Sequence, residues 1–104
     1  MHLVAVTACP TGIAHTYMAA ERLEKAAKKL GHTIRVETQG AMGIENALTA
    51  DDLERAAVVV LAAGIPVRGR ERFDGMRTVE TSLQEAIEDA ERLLSTAIEA
   101  LASR

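Results

Sequence analysis

Cys9 is the single cysteine of a 104-residue chain, and Pro10-Thr11-Gly12 follows it directly. A lone thiol rules out an intrachain disulfide and a multi-cysteine metal cluster, so its chemistry is that of one nucleophile. The run Cys9-Pro10-Thr11-Gly12-Ile13-Ala14-His15-Thr16 joins an apolar stretch, Leu3-Val4-Ala5-Val6, to an amphipathic one that starts at Ile13. A helix beginning there leaves its first backbone N–H groups without intrahelical partners, and its dipole puts about half a positive charge at that end. Such an end binds phosphate, and it also stabilises a thiolate by lowering the cysteine pKa. Gly12 permits a tight turn with the backbone close to an oxyanion. Thr11 and Thr16 offer hydroxyl donors, Pro10 stiffens the loop, and His15 can donate to a phosphate or tune the thiolate. Cys9 is therefore the candidate nucleophile. Pro10, Thr11, Gly12, Ile13, Ala14, His15 and Thr16 are the candidate phosphate-binding residues. The chemistry is in-line attack on a phosphoryl group, with loop amides neutralising its oxygens, and it needs neither metal nor cofactor. A competing view makes Cys9 a small buried apolar residue and points His15 to solvent. That view explains the residue type but not the Pro, Gly and two Thr around it.

Other polar residues carry weaker signals. His2 and His32 fall at element ends and are expected to be solvated. Glu37 reads as a lone carboxylate on an exposed strand, without an acid–base role. Arg68, Arg70, Arg72 and Arg77 form a basic cluster that either attracts phosphorylated partners or solvates a loop; both readings stay open.

The elements that position Cys9 follow from hydrophobic periodicity. Leu3-Val4-Ala5-Val6 and Ala57-Val58-Val59-Val60-Leu61-Ala62-Ala63 are continuous apolar runs, as expected of strands covered on both faces. Thr33-Ile34-Arg35-Val36-Glu37-Thr38 alternates and predicts an edge strand, as does the short segment 76–80. Ile13, Tyr17, Ala20, Leu23, Ala27 and Leu30 recur at helical spacing, with Gly31 as a C-cap. Gln39 to Gly43 reads as a glycine-punctuated loop, and Thr49 caps a short helix over residues 48–56. One closing helix is expected over residues 82–101, with Leu83, Ile87, Ala90, Leu94, Ile98 and Leu101 on its stripe. Strands alternating with helices predict an α/β fold: a four-stranded parallel sheet, order 2-1-3-4, with helices on both faces. Ligands of such sheets bind beyond the carboxyl ends of the strands near the switch in order, where Cys9 falls.

Composition bounds the rest. The length fits a single domain over residues 1–104, with residues 94–104 as a helix extension or the start of a linker. With one Tyr, one Phe and no Trp, stacking platforms for bases are nearly absent, and a net charge of −3 gives no electrostatic case for nucleic acid. No apolar run approaches the ~20 residues of a membrane span, and no signal peptide is recognisable, so the expected location is cytoplasmic.

The segment from Ala5 to Ala20, with CPTGIAHT at its heart, closely resembles the active-site signature of fructose-type enzyme IIB domains of the bacterial phosphoenolpyruvate-dependent sugar phosphotransferase system. Val36-Glu37-Thr38-Gln39-Gly40, Gly43-Ile44-Glu45-Asn46, Leu48-Thr49, Asp52 and Arg72-Phe73 match in the same order, so the resemblance spans roughly residues 3 to 90. It implies that Cys9 takes phosphate from a phosphohistidine of an enzyme IIA domain. Cys9 would then pass it to a sugar, fructose becoming fructose 1-phosphate, held by a membrane enzyme IIC on whose inner face the domain docks. Family members commonly carry Asp where this chain has Gly64 and Lys where it has Met76. Both departures lie outside the Cys9 loop and bear on the sugar or partner, a mannosylglycerate-type relative included. A low-molecular-weight phosphatase would need C-x5-R, and the sixth position after Cys9 is His15. A regulatory nucleotide-binding module would leave Cys9 dispensable and lacks a glycine-rich phosphate signature. A thiol redox role lacks a resolving cysteine.

Overall fold

A computed structural model describes residues 1–9 and 14–102. The strands are β1 (His2–Ala8), β2 (Thr33–Gly40), β3 (Gly43–Glu45), β4 (Ala56–Ala63) and β5 (Thr78–Thr81). The helices are α1 (Ala14–Lys29), α2 (Ala50–Arg55), α3 (Leu83–Glu88) and α4 (Ala90–Ala102), with a 3-10 turn at Arg70–Phe73. No described helix is long and apolar enough to cross a membrane.

The expected α/β class holds, but the expected four-stranded parallel sheet does not. Among the described residues the sheet has five strands, in the order β3-β2-β1-β4-β5. β1 pairs in parallel with β2 and β4, β4 in parallel with β5, and β3 antiparallel with β2. The extra strand begins at Gly43, the last residue of the segment expected to be loop, and runs two residues beyond it. Gly43, at φ +86°, lets the chain reverse directly after Gly40. Three largely exposed residues are too few to show a period, so β3 is silent in the sequence. Its presence moves β2 off the sheet edge.

Continuous apolar runs form the centre because both faces are covered. Leu3, Ala5, Val58 and Val60 face α1, α3 and α4, where Leu23, Ala27 and Leu94 meet them. Val4, Val6, Val59 and Leu61 face the other way, against Leu48, Phe73 and the partly buried Leu53 of α2. At ~25 cal/mol per Å² this two-sided apolar burial is the main force holding the sheet between its helices.

The helix ends follow local rules. Gly31, at φ +83°, closes α1, with His32 N–H on Ala27 O (2.9 Å) and Gly31 N–H on Lys28 O (3.1 Å). Thr49 caps α2 as expected: Asp52 N–H donates to its hydroxyl (3.1 Å) and Thr49 N–H to the Asp52 carboxylate (3.0 Å). The single closing helix is corrected to two, broken at Asp89, whose φ −145° and ψ 44° are not helical. The apolar stripe runs through the break because both pieces pack on one side of the sheet, so periodicity alone does not reveal it.

Candidate active site

β1 lies between β2 and β4, and its last residue, Ala8, is flanked by Gln39 and Ala63. The ladder continues one step further, with Gly64 N–H on Ala8 O at 3.0 Å. Cys9 follows immediately, half-buried at the carboxyl edge of the sheet. α1 begins at Ala14; Ala14 and His15 are exposed in its first turn, and Thr16 is fully buried. Thr7 Oγ1 donates to the Thr16 carbonyl (3.1 Å), tying the strand end to that turn, while the Thr16 hydroxyl has no partner among the described residues. Pro10, Thr11, Gly12 and Ile13, expected to bind phosphate, lie outside the described residues.

Cys9 borders two concavities. The larger, about 360 Å³, is walled by His15 and Met18 of α1 and by Leu83 and Ile87 of α3. The smaller, about 160 Å³, lies on the other side of Cys9 among Gln39, Ile44, Ile65, Pro66 and Arg68. A nucleophile here is reachable from two sides.

The smaller groove stands on a buried polar network that corrects the expectation for Glu37. This residue is 0% exposed, not a solvated strand carboxylate. Arg72 Nη1 and Nη2 donate to its two oxygens at 2.8 and 2.9 Å, Gln39 Nε2 donates at 2.8 Å and Leu48 N–H at 3.0 Å. Burial pushes the Glu37 carboxyl up. The Arg72, Gln39 and Leu48 donors outweigh that and hold it below its ordinary value. Gln39 also grips the neighbouring loop, accepting from Arg68 N–H (2.8 Å) and donating to Arg68 O (2.9 Å). Arg72 bonds the carbonyls of Gly69 (2.7 Å) and Arg68 (3.1 Å) and lies over the Phe73 ring at 4.9 Å. Glu37 is thus a structural pivot that fixes residues 68–73 against β2.

The basic cluster divides accordingly. Arg72 serves Glu37, Arg70 pairs with exposed Glu80 at 2.9 Å, and Arg77 is half-buried at the amino end of β5. Arg68 is exposed on the groove with Cys9. Far from the site, His2 is another correction: its side chain is 9% exposed, with Nε2 at 3.1 Å from Asp52 Oδ1 and Nδ1 at 2.7 Å from Thr33 Oγ1. His32 is half-buried. The sequence offered no signal for these pairs, whose partners lie 31 to 50 positions away.

Among the described residues, the exposed large apolar side chains other than Met1 share one location. Tyr17 and Met18 (first turns of α1), Met42 and Ile44 (the β2–β3 turn) and Ile65 (after β4) rim the carboxyl edge around Cys9. Tyr17 donates its hydroxyl to Glu45, which bridges α1 to β3.

The family described as "PTS system, Lactose/Cellobiose specific IIB subunit" matches residues 4–96. The chain is 48% identical over 93 residues to the PTS system fructose-like EIIB component 2 of Escherichia coli (strain K12), covering 89% of this chain and 88% of that one. It is 51% identical over 96 residues to the PTS system 2-O-alpha-mannosyl-D-glycerate-specific EIIABC component of the same strain, covering 92% of this chain but 15% of that longer protein. Among solved structures, a domain of the fructose-specific IIABC component of Borrelia burgdorferi superposes with a TM-score of 0.89 at 47% identity, covering 94% and 93% of the two chains.

Proposed function

Since the chain belongs to the IIB family of phosphoryl carriers of the sugar phosphotransferase system, we propose that Cys9 is the residue that carries the phosphoryl group. The observation that carries this reading is the place of Cys9. It is a nucleophile at the end of a rigid central strand, ahead of a helix start and open to grooves on two sides. In the first step the Cys9 thiolate attacks phosphorus in line, an S–P bond forms, and the N–P bond of a phosphohistidine on an enzyme IIA protein breaks. The departing electron pair returns to the imidazole. In the second step a sugar hydroxyl on enzyme IIC attacks phosphorus, an O–P bond forms, the S–P bond breaks to release the Cys9 thiolate, and the hydroxyl proton passes to solvent water. The phosphate oxygens rest on the loop of Pro10, Thr11, Gly12, Ile13, Ala14, His15 and Thr16, at the positive end of α1. No metal or cofactor enters the scheme.

The apolar rim supports a protein partner over a free small molecule, since exposed Tyr, Met and Ile in one patch mark interaction surfaces. The donor and acceptor would dock there in turn, with the domain in the cytoplasm at the inner membrane face. Fructose, yielding fructose 1-phosphate, is the proposed sugar, in keeping with the names of relatives. The mannosylglycerate-specific relative makes that sugar the second candidate.

The test is phosphorylation from phosphoenolpyruvate through the general components and a fructose-type IIA protein, read by intact mass. The native chain is expected to gain one phosphate and Cys9→Ser none. No gain beside a donor that is itself phosphorylated sinks the proposal.

A further inference from the structure

Of the arginines that follow β4, Arg68 alone has an exposed guanidinium with no hydrogen bond or ion pair among the described residues. Its backbone is nevertheless firmly held. Arg68 N–H donates to Gln39 Oε1 at 2.8 Å, and its carbonyl accepts from Gln39 Nε2 at 2.9 Å and from Arg72 Nη2 at 3.1 Å. That clamp rests in turn on buried Glu37. Arg68 lines the 160 Å³ groove that Cys9 also lines. An uncommitted cation on a rigid mount beside a nucleophile is available to an external anion, whereas Arg70 and Arg72 are spent on carboxylates.

Resting on the phosphocysteine reading, we propose that Arg68 is a phosphate-binding residue of this site, receiving the phosphoryl oxygens from the smaller groove. As the S–P bond forms and the N–P bond breaks, the planar guanidinium fork donates hydrogen bonds to the oxygens on which charge is spread. It keeps its own proton throughout, in the donor step and again when the acceptor hydroxyl displaces the thiolate. Gln39, whose amide is fully engaged, is a positioning residue rather than a donor.

The full chain is phosphorylated through a fructose-type IIA protein, and the rate of phosphate gain is compared for native, Arg68→Gln and Arg68→Lys proteins. Because Arg68 is exposed, both variants are expected to keep the native melting temperature. Arg68→Gln is expected to slow the gain by about tenfold or more, and Arg68→Lys to recover part of the loss. If the native chain takes phosphate and Arg68→Gln takes it equally fast, the role of Arg68 is overturned and the carrier reading stands. A native chain that takes none beside a competent donor overturns both. Alkylation of Cys9 by anionic iodoacetate against neutral iodoacetamide then separates anion attraction from partner docking. Arg68→Gln is expected to lower that rate ratio by about threefold or more; an unchanged ratio defeats the proposal.

Discussion

Glu37 illustrates how a buried charge is kept. Its carboxylate is fully enclosed, and four donors make the ionised form the stable one. Removing the charge leaves Arg72, 27% exposed, facing a neutral group. Glu37→Gln is therefore expected to cost about 2–4 kcal/mol, measured by urea unfolding. A folded-state pKa held below the ordinary value near 4.5 contributes stability above that value and loses it as pH falls through the folded pKa. Asp52 adds to this in the same direction, lowered chiefly by the Thr49 N–H, against desolvation, with the Thr49 hydroxyl and His2 assisting. Unfolding free energy is expected to drop below about pH 4.5, and the drop to be shallower in Glu37→Gln. A drop of equal depth in that variant would show that other carboxylates carry the acid sensitivity.

At the scale of elements, short backbone devices set the walls of the site. Gly69 adopts φ +71°, and a Cβ there would lie 2.7 Å from Arg72 Nε. Gly69→Ala should strain the turn and push Arg72 off Glu37, costing about 2 kcal/mol in unfolding experiments. Thr49→Ala removes one half of a capping box and should cost about 1 kcal/mol. The second loss is expected to leave phosphate gain at Cys9 unchanged, because α2 lies on the sheet face away from α1 and α3.

For the molecule as a whole, the carboxyl edge of the sheet gathers Cys9, two grooves and an apolar rim, the features that the proposed transfer between proteins uses. Met42 is 76% exposed at the tip of the β2–β3 turn and contributes nothing to the core. Met42→Glu is expected to raise the apparent KM for the IIA donor about tenfold, with the maximal rate and melting temperature held. An unchanged KM would place the docking surface elsewhere.

Much of this was legible in the sequence because it is local. Continuous apolar runs specify central strands, a 3.6-residue stripe specifies α1, and Thr49 and Gly31 specify helix ends; each signal acts over a few residues. The CPTGIAHT segment likewise sits whole in one stretch, so the family resemblance was readable without coordinates, and with it the candidate nucleophile. Tertiary structure alone decided the rest. Glu37 read as exposed because its strand alternates, and only tertiary packing encloses it, with the Leu48 N–H and an arginine 35 positions away on its carboxylate. The break at Asp89, the pairing of His2 with Asp52, and the placing of Arg68 beside Cys9 are of the same kind. Burial and long-range pairing depend on which segments pack together, and no short window of sequence contains that information.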